Sequence, residues 1–159
     1  MSRAFVRESD GDNSFELPER PVSEHPNPVT AAGLRQIETT IADLEAARQQ
    51  AKTAEETITL AQIERDLRYW LQRRASAQLT VTEAAPTKVR FGVTVTLEFA
   101  DGMQKNFTLV GEDEADPNAG LISWISPVAQ ALLGREVGDE IELPNGRAEI
   151  IGLSNTQLQ

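Results

Sequence analysis

The chain of 159 residues has no cysteine and a single histidine. Disulfides and thiolate metal sites are therefore excluded, a composition that fits a reducing cytoplasm. His25 lies in a proline-rich segment, and no Ser-His-Asp or Cys-His constellation can be built without it. Aromatic residues are sparse, with five Phe, two Trp and one Tyr, which leaves little material for an aromatic-lined pocket. No run of eighteen apolar residues exists, and charges stand where a signal sequence needs an apolar stretch. The expectation is a cytoplasmic protein with no membrane partner.

Acid outweighs base, with 25 Asp and Glu against 15 Lys and Arg and a formal charge of −10. By segment this divides into −3 for residues 1–28, zero for 29–80 and −7 for 81–159. An acidic C-terminal part repels phosphate, so no direct duplex DNA binding is expected and a basic protein surface is the better partner. The length allows one domain of ordinary size or two small ones.

Three segments follow from composition and periodicity. Residues 1–28 read as a flexible or extended leader, rich in charge and proline; Phe5-Val6 and Phe15-Glu16-Leu17 are its apolar anchors. Residues 29–80 read as a helical hairpin. Thr30 caps a first helix whose seam is Leu34, Ile37, Ile41 and Leu44, extended by Ala47 and Ala51; Leu60, Ile63, Leu67 and Trp70 repeat the spacing, with Leu71 widening the stripe. Thr53 and Glu56 have the spacing of a capping box, which places the turn near residues 51–53. Two helices of roughly 20 to 24 residues reach about 30–36 Å. Arg65, Arg68, Arg73 and Arg74 suit the helix C-terminal dipole and i,i+4 pairing such as Glu64 with Arg68, while Tyr69 and Trp70 read as a packing base.

Residues 81–159 read as a small antiparallel sheet with one short helix. Val89, Phe91, Val93, Val95, Leu97 and Phe99 alternate with smaller or polar residues as a strand with one buried face. Asp101-Gly102 turns the chain into a return strand over residues 104–110 that buries Phe107 and Leu109, and a further pair flanks Pro144-Asn145-Gly146. Between them, residues 121–125 read as an apolar strand. Ser126 is then an N-cap with Pro127 at the first helical position, and Gly134 is the stop about eight residues on.

The order Val110-Gly111-Glu112-Asp113-Glu114-Ala115-Asp116-Pro117, Ile122-Ser123-Trp124-Ile125-Ser126-Pro127, Ala131-Leu132-Leu133-Gly134 and Val137-Gly138-Asp139 resembles the C-terminal domain of the bacterial GreA/GreB transcription elongation factors. The likeness runs from about Val89 to Leu153. It implies an α+β protein, an N-terminal antiparallel coiled-coil hairpin followed by an FKBP-like domain. It also implies binding to RNA polymerase at its secondary channel. By resemblance the docking surface includes Trp124, Ser126, Pro127 and Ala129.

In that family an acidic Asp-x-x-Glu-Asn motif at the hairpin tip helps hold a catalytic Mg²⁺ in the polymerase. This tip reads Gln49-Gln50-Ala51-Lys52-Thr53-Ala54-Glu55-Glu56-Thr57, without the motif and on a shorter hairpin. Only Glu55 and Glu56, beside Lys52, stand where the acids belong, and capping and the helix dipole account for both. The expected function is a non-enzymatic elongation regulator with no cofactor of its own. The alternative is a Rnk-like or competitive channel-binding regulator without transcript-cleavage stimulation, and a peptidyl-prolyl isomerase ranks last.

Overall fold

Thr30 starts the first helix as its spacing requires: its hydroxyl accepts the Gly33 amide at 2.9 Å and its carbonyl the Leu34 amide at 2.9 Å. The structure, a computed structural model, describes residues 17–156. The expectations for Phe5, Val6, Phe15 and Glu16 lie outside the described residues. Chain order is β1 (Pro28–Val29), α1 (Ala31–Thr53), α2 (Thr57–Ser76), β2 (Gln78–Leu79), β3 (Thr94–Phe99), β4 (Gln104–Val110), β5 (Leu121–Ser123), α3 (Pro127–Leu132), β6 (Glu140–Leu143) and β7 (Gly146–Ser154). The described residues form two compact units, 17–25 with 37–76 and 26–36 with 77–156.

In the first unit, α1 and α2 have 23 and 20 residues, about 30–35 Å each. Ile37, Ile41, Ala51 and Leu67 are buried along the predicted seam. Leu71 is not part of it, being 38% exposed, whereas Arg73 is 1% exposed. Arg48 of α1 meets Glu64 of α2 at 3.4 Å, so Glu64 serves the cross-helix pair. Arg68 makes its ion pair with Glu19, and the expected partner Glu64 acts on it as a nearby charge.

The second unit is a five-stranded sheet in the order β5-β4-β3-β7-β6 and a parallel pair of β1 with β2. The β3–β4, β3–β7 and β6–β7 ladders are antiparallel; edge strand β5 runs parallel to β4. Val93, Val95, Leu97, Leu109, Ile150 and Leu132 are fully buried in one cluster, with Phe99 and Phe107 packed against it. This core accounts for most of the apolar residues that alternation selected.

The alternation from Val89 does not make one strand. Gly92 has φ +85°, and a Cβ there would lie 2.0 Å from the Thr82 hydroxyl. The chain therefore turns at residues 91–92, and only Thr94–Phe99 pairs. Val89 is buried instead by a loop exchange, its amide donating to the Arg135 carbonyl and its carbonyl accepting from Gly134. Alternation survives a turn when the residues on both sides face the same core.

Candidate protein-docking site

The helix singled out by the sequence is set at the end of β5 by a short polar lattice. The Trp124 amide donates to the Val110 carbonyl at 2.9 Å, and the Ser126 amide to the Ser123 carbonyl at 2.9 Å. Ser126 caps α3: its hydroxyl accepts from the Ala129 amide at 3.3 Å, with Pro127 next in the first turn. α3 has six residues, shorter than the eight expected, because Leu133 already leaves helical geometry at φ −54°, ψ 129°.

Burial sorts the expected docking residues. Pro127 is exposed, Ser126 and Trp124 are half-buried, and Ala129 is 0% exposed within the core. Ala129 therefore contributes packing, and the surface at this end of α3 is formed by Pro127, Ser126 and the exposed Gln130. Gln130 donates its side-chain amide to the Trp124 carbonyl at 2.7 Å, bracing the turn before the helix. The only mark of Gln130 in the sequence is a glutamine on the exposed face of a capped helix.

The loop before β5 carries the charge. Glu112–Glu114 form one 3-10 turn and Pro117–Ala119 another, and Asp116 bridges Leu121 through two backbone bonds of 2.8 and 3.1 Å. Four carboxylates stand in residues 112–116. Such a run favours a basic partner surface. Glu114 is already engaged, accepting the Thr30 hydroxyl at 2.5 Å.

At the hairpin tip the predicted capping box does not form. Thr53 lies inside α1, its hydroxyl donating back to the Gln49 carbonyl at 3.0 Å. The helix ends in a Schellman arrangement, with the Glu56 amide on the Ala51 carbonyl at 3.0 Å and the Glu55 amide on that of Lys52 at 3.2 Å. Glu55 occupies the left-handed position at φ +57°, and the Glu56 carbonyl accepts the Leu60 amide at 2.8 Å as α2 begins. The turn lies at residues 54–56, three positions beyond the expected one, because a Thr three residues before a Glu also fits a helix end.

Lys52, Glu55 and Glu56 are all exposed. Among the described residues no three acidic or histidine side chains gather as a metal would require. Magnesium demands near-octahedral oxygen coordination, which two consecutive glutamates on an open turn do not supply. The tip alone does not fit the ion.

A sheet unit with a capped helix and an acidic loop, and a unit formed by a helical hairpin, make this an α+β chain. Residues 84–153 match the model of the family described as "Transcription elongation factor, GreA/GreB, C-term". Transcription elongation factor GreA of Desulfovibrio desulfuricans is 60% identical over 72 residues, 42% of this chain and 44% of that protein. That of Nautilia profundicola is 52% identical over 67 residues, covering 40% and 41%. Residues 84–153 are thus similar to the C-terminal domain of the GreA/GreB family. The chain thus spans less than half the length of these relatives. A solved GreA/GreB factor from Nitrosomonas europaea has a TM-score of 0.40 at 23% identity, covering 80% of this chain and 98% of that one. Among the described residues no helix is long and apolar enough to cross a membrane.

Proposed function

We propose that this chain is a transcription elongation regulator of the Gre type, a non-enzymatic cytoplasmic protein that binds bacterial RNA polymerase at its secondary channel. The sheet domain docks through the N-terminal end of α3, with Pro127 and Ser126 in contact and Trp124 behind them. The observation that carries this reading is the exposed Pro127 on a capped, core-anchored helix, inside the stretch that matches the family. Proline at the first helical position costs no hydrogen bond and offers a rigid apolar contact.

The tip favours the non-cleaving form of this function, a regulator that occupies the channel or competes for it. Its two glutamates sit where the backbone turns, and the Mg²⁺ chemistry of the family would need further ligands from the polymerase. Retention on purified polymerase at low salt, with no stimulation of transcript cleavage in backtracked complexes, is the expected result. Failure of polymerase to retain the protein sinks both forms. Cleavage stimulation that disappears in a Glu55→Ala, Glu56→Ala variant would instead assign the tip a metal role.

A further inference from the structure

The segment before the hairpin contains Pro18-Glu19-Arg20-Pro21. Each proline fixes φ and removes a donor, so this stretch is preset as an extended ligand-like strand. It lies along α2. The Arg68 guanidinium grips the Glu19 carboxylate, with Nη2 to Oε1 at 2.6 Å and Nε to the two oxygens at 2.9 and 3.0 Å. One residue on, Arg20 donates to Asp66 at 3.4 Å, and its guanidinium carbon stands 3.9 Å from the Tyr69 ring centre and 5.7 Å from that of Trp70. Tyr69 and Trp70 meet edge to face at 5.1 Å. Adjacent acidic and basic residues are thus read by an opposite charge each, and the base also by two rings.

We propose that Asp66, Arg68, Tyr69 and Trp70 of α2 together form a peptide-recognition surface. Its ligand class is an extended, proline-flanked segment with a carboxylate next to a guanidinium, and residues 18–21 of this chain occupy it as a tethered ligand. The pairs are open to solvent, with Glu19 and Arg68 side chains 59% and 50% exposed and Arg20 37%. Exposed ion pairs are weak and screened by salt, so closure rests on the high effective concentration that a short tether provides. A segment of the same chemistry presented at comparable concentration displaces it. This surface is independent of the one proposed for polymerase docking.

The test uses the full-length protein, isotope-labelled, with the Trp70 indole and Arg68 Nε signals followed by NMR. The probe is a synthetic peptide of residues 17–23. In a Glu19→Ala, Arg20→Ala variant both signals should leave their wild-type positions and return as the peptide is added to roughly millimolar concentration. In wild type, where the tethered segment already holds the site, the same peptide should leave both signals in place. A Glu19→Arg, Arg68→Glu exchange should hold the segment again, and circular dichroism should show unchanged helix content throughout. Signals that stay in place in the double-alanine variant overturn the proposal. So does a variant that ignores the peptide, or one that answers equally to a scrambled peptide of the same composition.

Discussion

The Thr30 hydroxyl joins two functions in one atom: it caps α1 by accepting the Gly33 amide and donates to the Glu114 carboxylate, 84 positions away in sequence. Thr30 is 1% exposed, so the bond to Gly33 is buried, while that to Glu114 is part-buried. The first turn of α1 contains no acid of its own. Glu114 supplies that charge from the acidic loop, where the helix dipole favours it.

Replacing Thr30 by Ala should cost about 1–2 kcal/mol, the loss of a cap together with a carboxylate deprived of its donor. Thr30→Ser should retain most of the stability. Chemical denaturation of the two variants checks the difference, and equal midpoints would show that the hydroxyl is not what holds this corner.

Gly33 offers a second test of the same corner. A Gly-to-Ala change inside a helix ordinarily gains about 0.5–1 kcal/mol. Here the added Cβ would stand 2.6 Å from Glu114 Oε1 and 3.3 Å from the Thr30 hydroxyl, so the glutamate must leave its bond. Gly33→Ala should therefore gain nothing in the wild-type background and should stabilise once Glu114→Ala has vacated the space. A cycle of the two variants measures the coupling. Strict additivity would contradict the contact.

Local signals were legible where one residue answers to one neighbour in sequence. Ser126 with Pro127, Asp101-Gly102 and Pro144-Asn145-Gly146 mark their turns, and alternation through Val93, Val95 and Leu97 finds the core. Partners distant in sequence were not legible. Nothing in the helix marks Arg68 for Glu19, since Glu64 stands at the favourable i,i+4 spacing and is drawn to Arg48 across the hairpin. Thr53 and Glu56 satisfy a capping-box spacing, yet propagation of α1 through Thr53 shifts the turn and leaves Glu55 in the left-handed region. At α3 the residue types and the cap were legible, while burial decided that Ala129 faces inward and Pro127 outward.

Glu55 holds a backbone conformation that costs a non-glycine residue about 1 kcal/mol or more. Glycine is the usual occupant of this position after a helix. Glu55→Gly should raise the thermal midpoint, by about 2–4 °C per kcal/mol gained in a chain of this size. Glu55→Val, β-branched, should lower it. Calorimetry on the two variants reads the sign directly, and a drop with glycine would mean that the turn is not the one described.

The Glu19 carboxyl is held below its ordinary value, chiefly by the hydrogen bond from Arg68, with burial opposing and the charges of Arg68 and Arg65 assisting. Arg68 is correspondingly raised, first by its bond to Glu19. A depressed acid stabilises the docked state fully above its ordinary value and loses that contribution as pH falls through the depressed one; the raised arginine would matter only at strongly alkaline pH. Attachment of residues 17–23 should therefore be constant through neutrality and weaken only on the acid side. A carboxyl NMR titration should show Glu19 shifted in wild type and closer to its ordinary value in Arg68→Ala, where only the charge of Arg65 still lowers it. Identical titrations would remove the ion pair from the account.

The docking role proposed for α3 predicts a separation between stability and binding. Ser126→Ala removes the cap that holds the Ala129 amide and should cost about 1 kcal/mol of stability. Pro127 is exposed, so Pro127→Arg should change stability by no more than about 0.5 kcal/mol, the usual range for a surface position. If Pro127 lies at the centre of the polymerase contact, the same change should weaken binding by about tenfold or more, the effect of losing roughly 1.4 kcal/mol at an anchoring residue. Retention on polymerase over a salt series, together with the thermal midpoint of each variant, separates the two effects. Wild-type retention by a folded Pro127→Arg protein would move the docking surface away from α3, whatever the rest of the domain shares with its relatives.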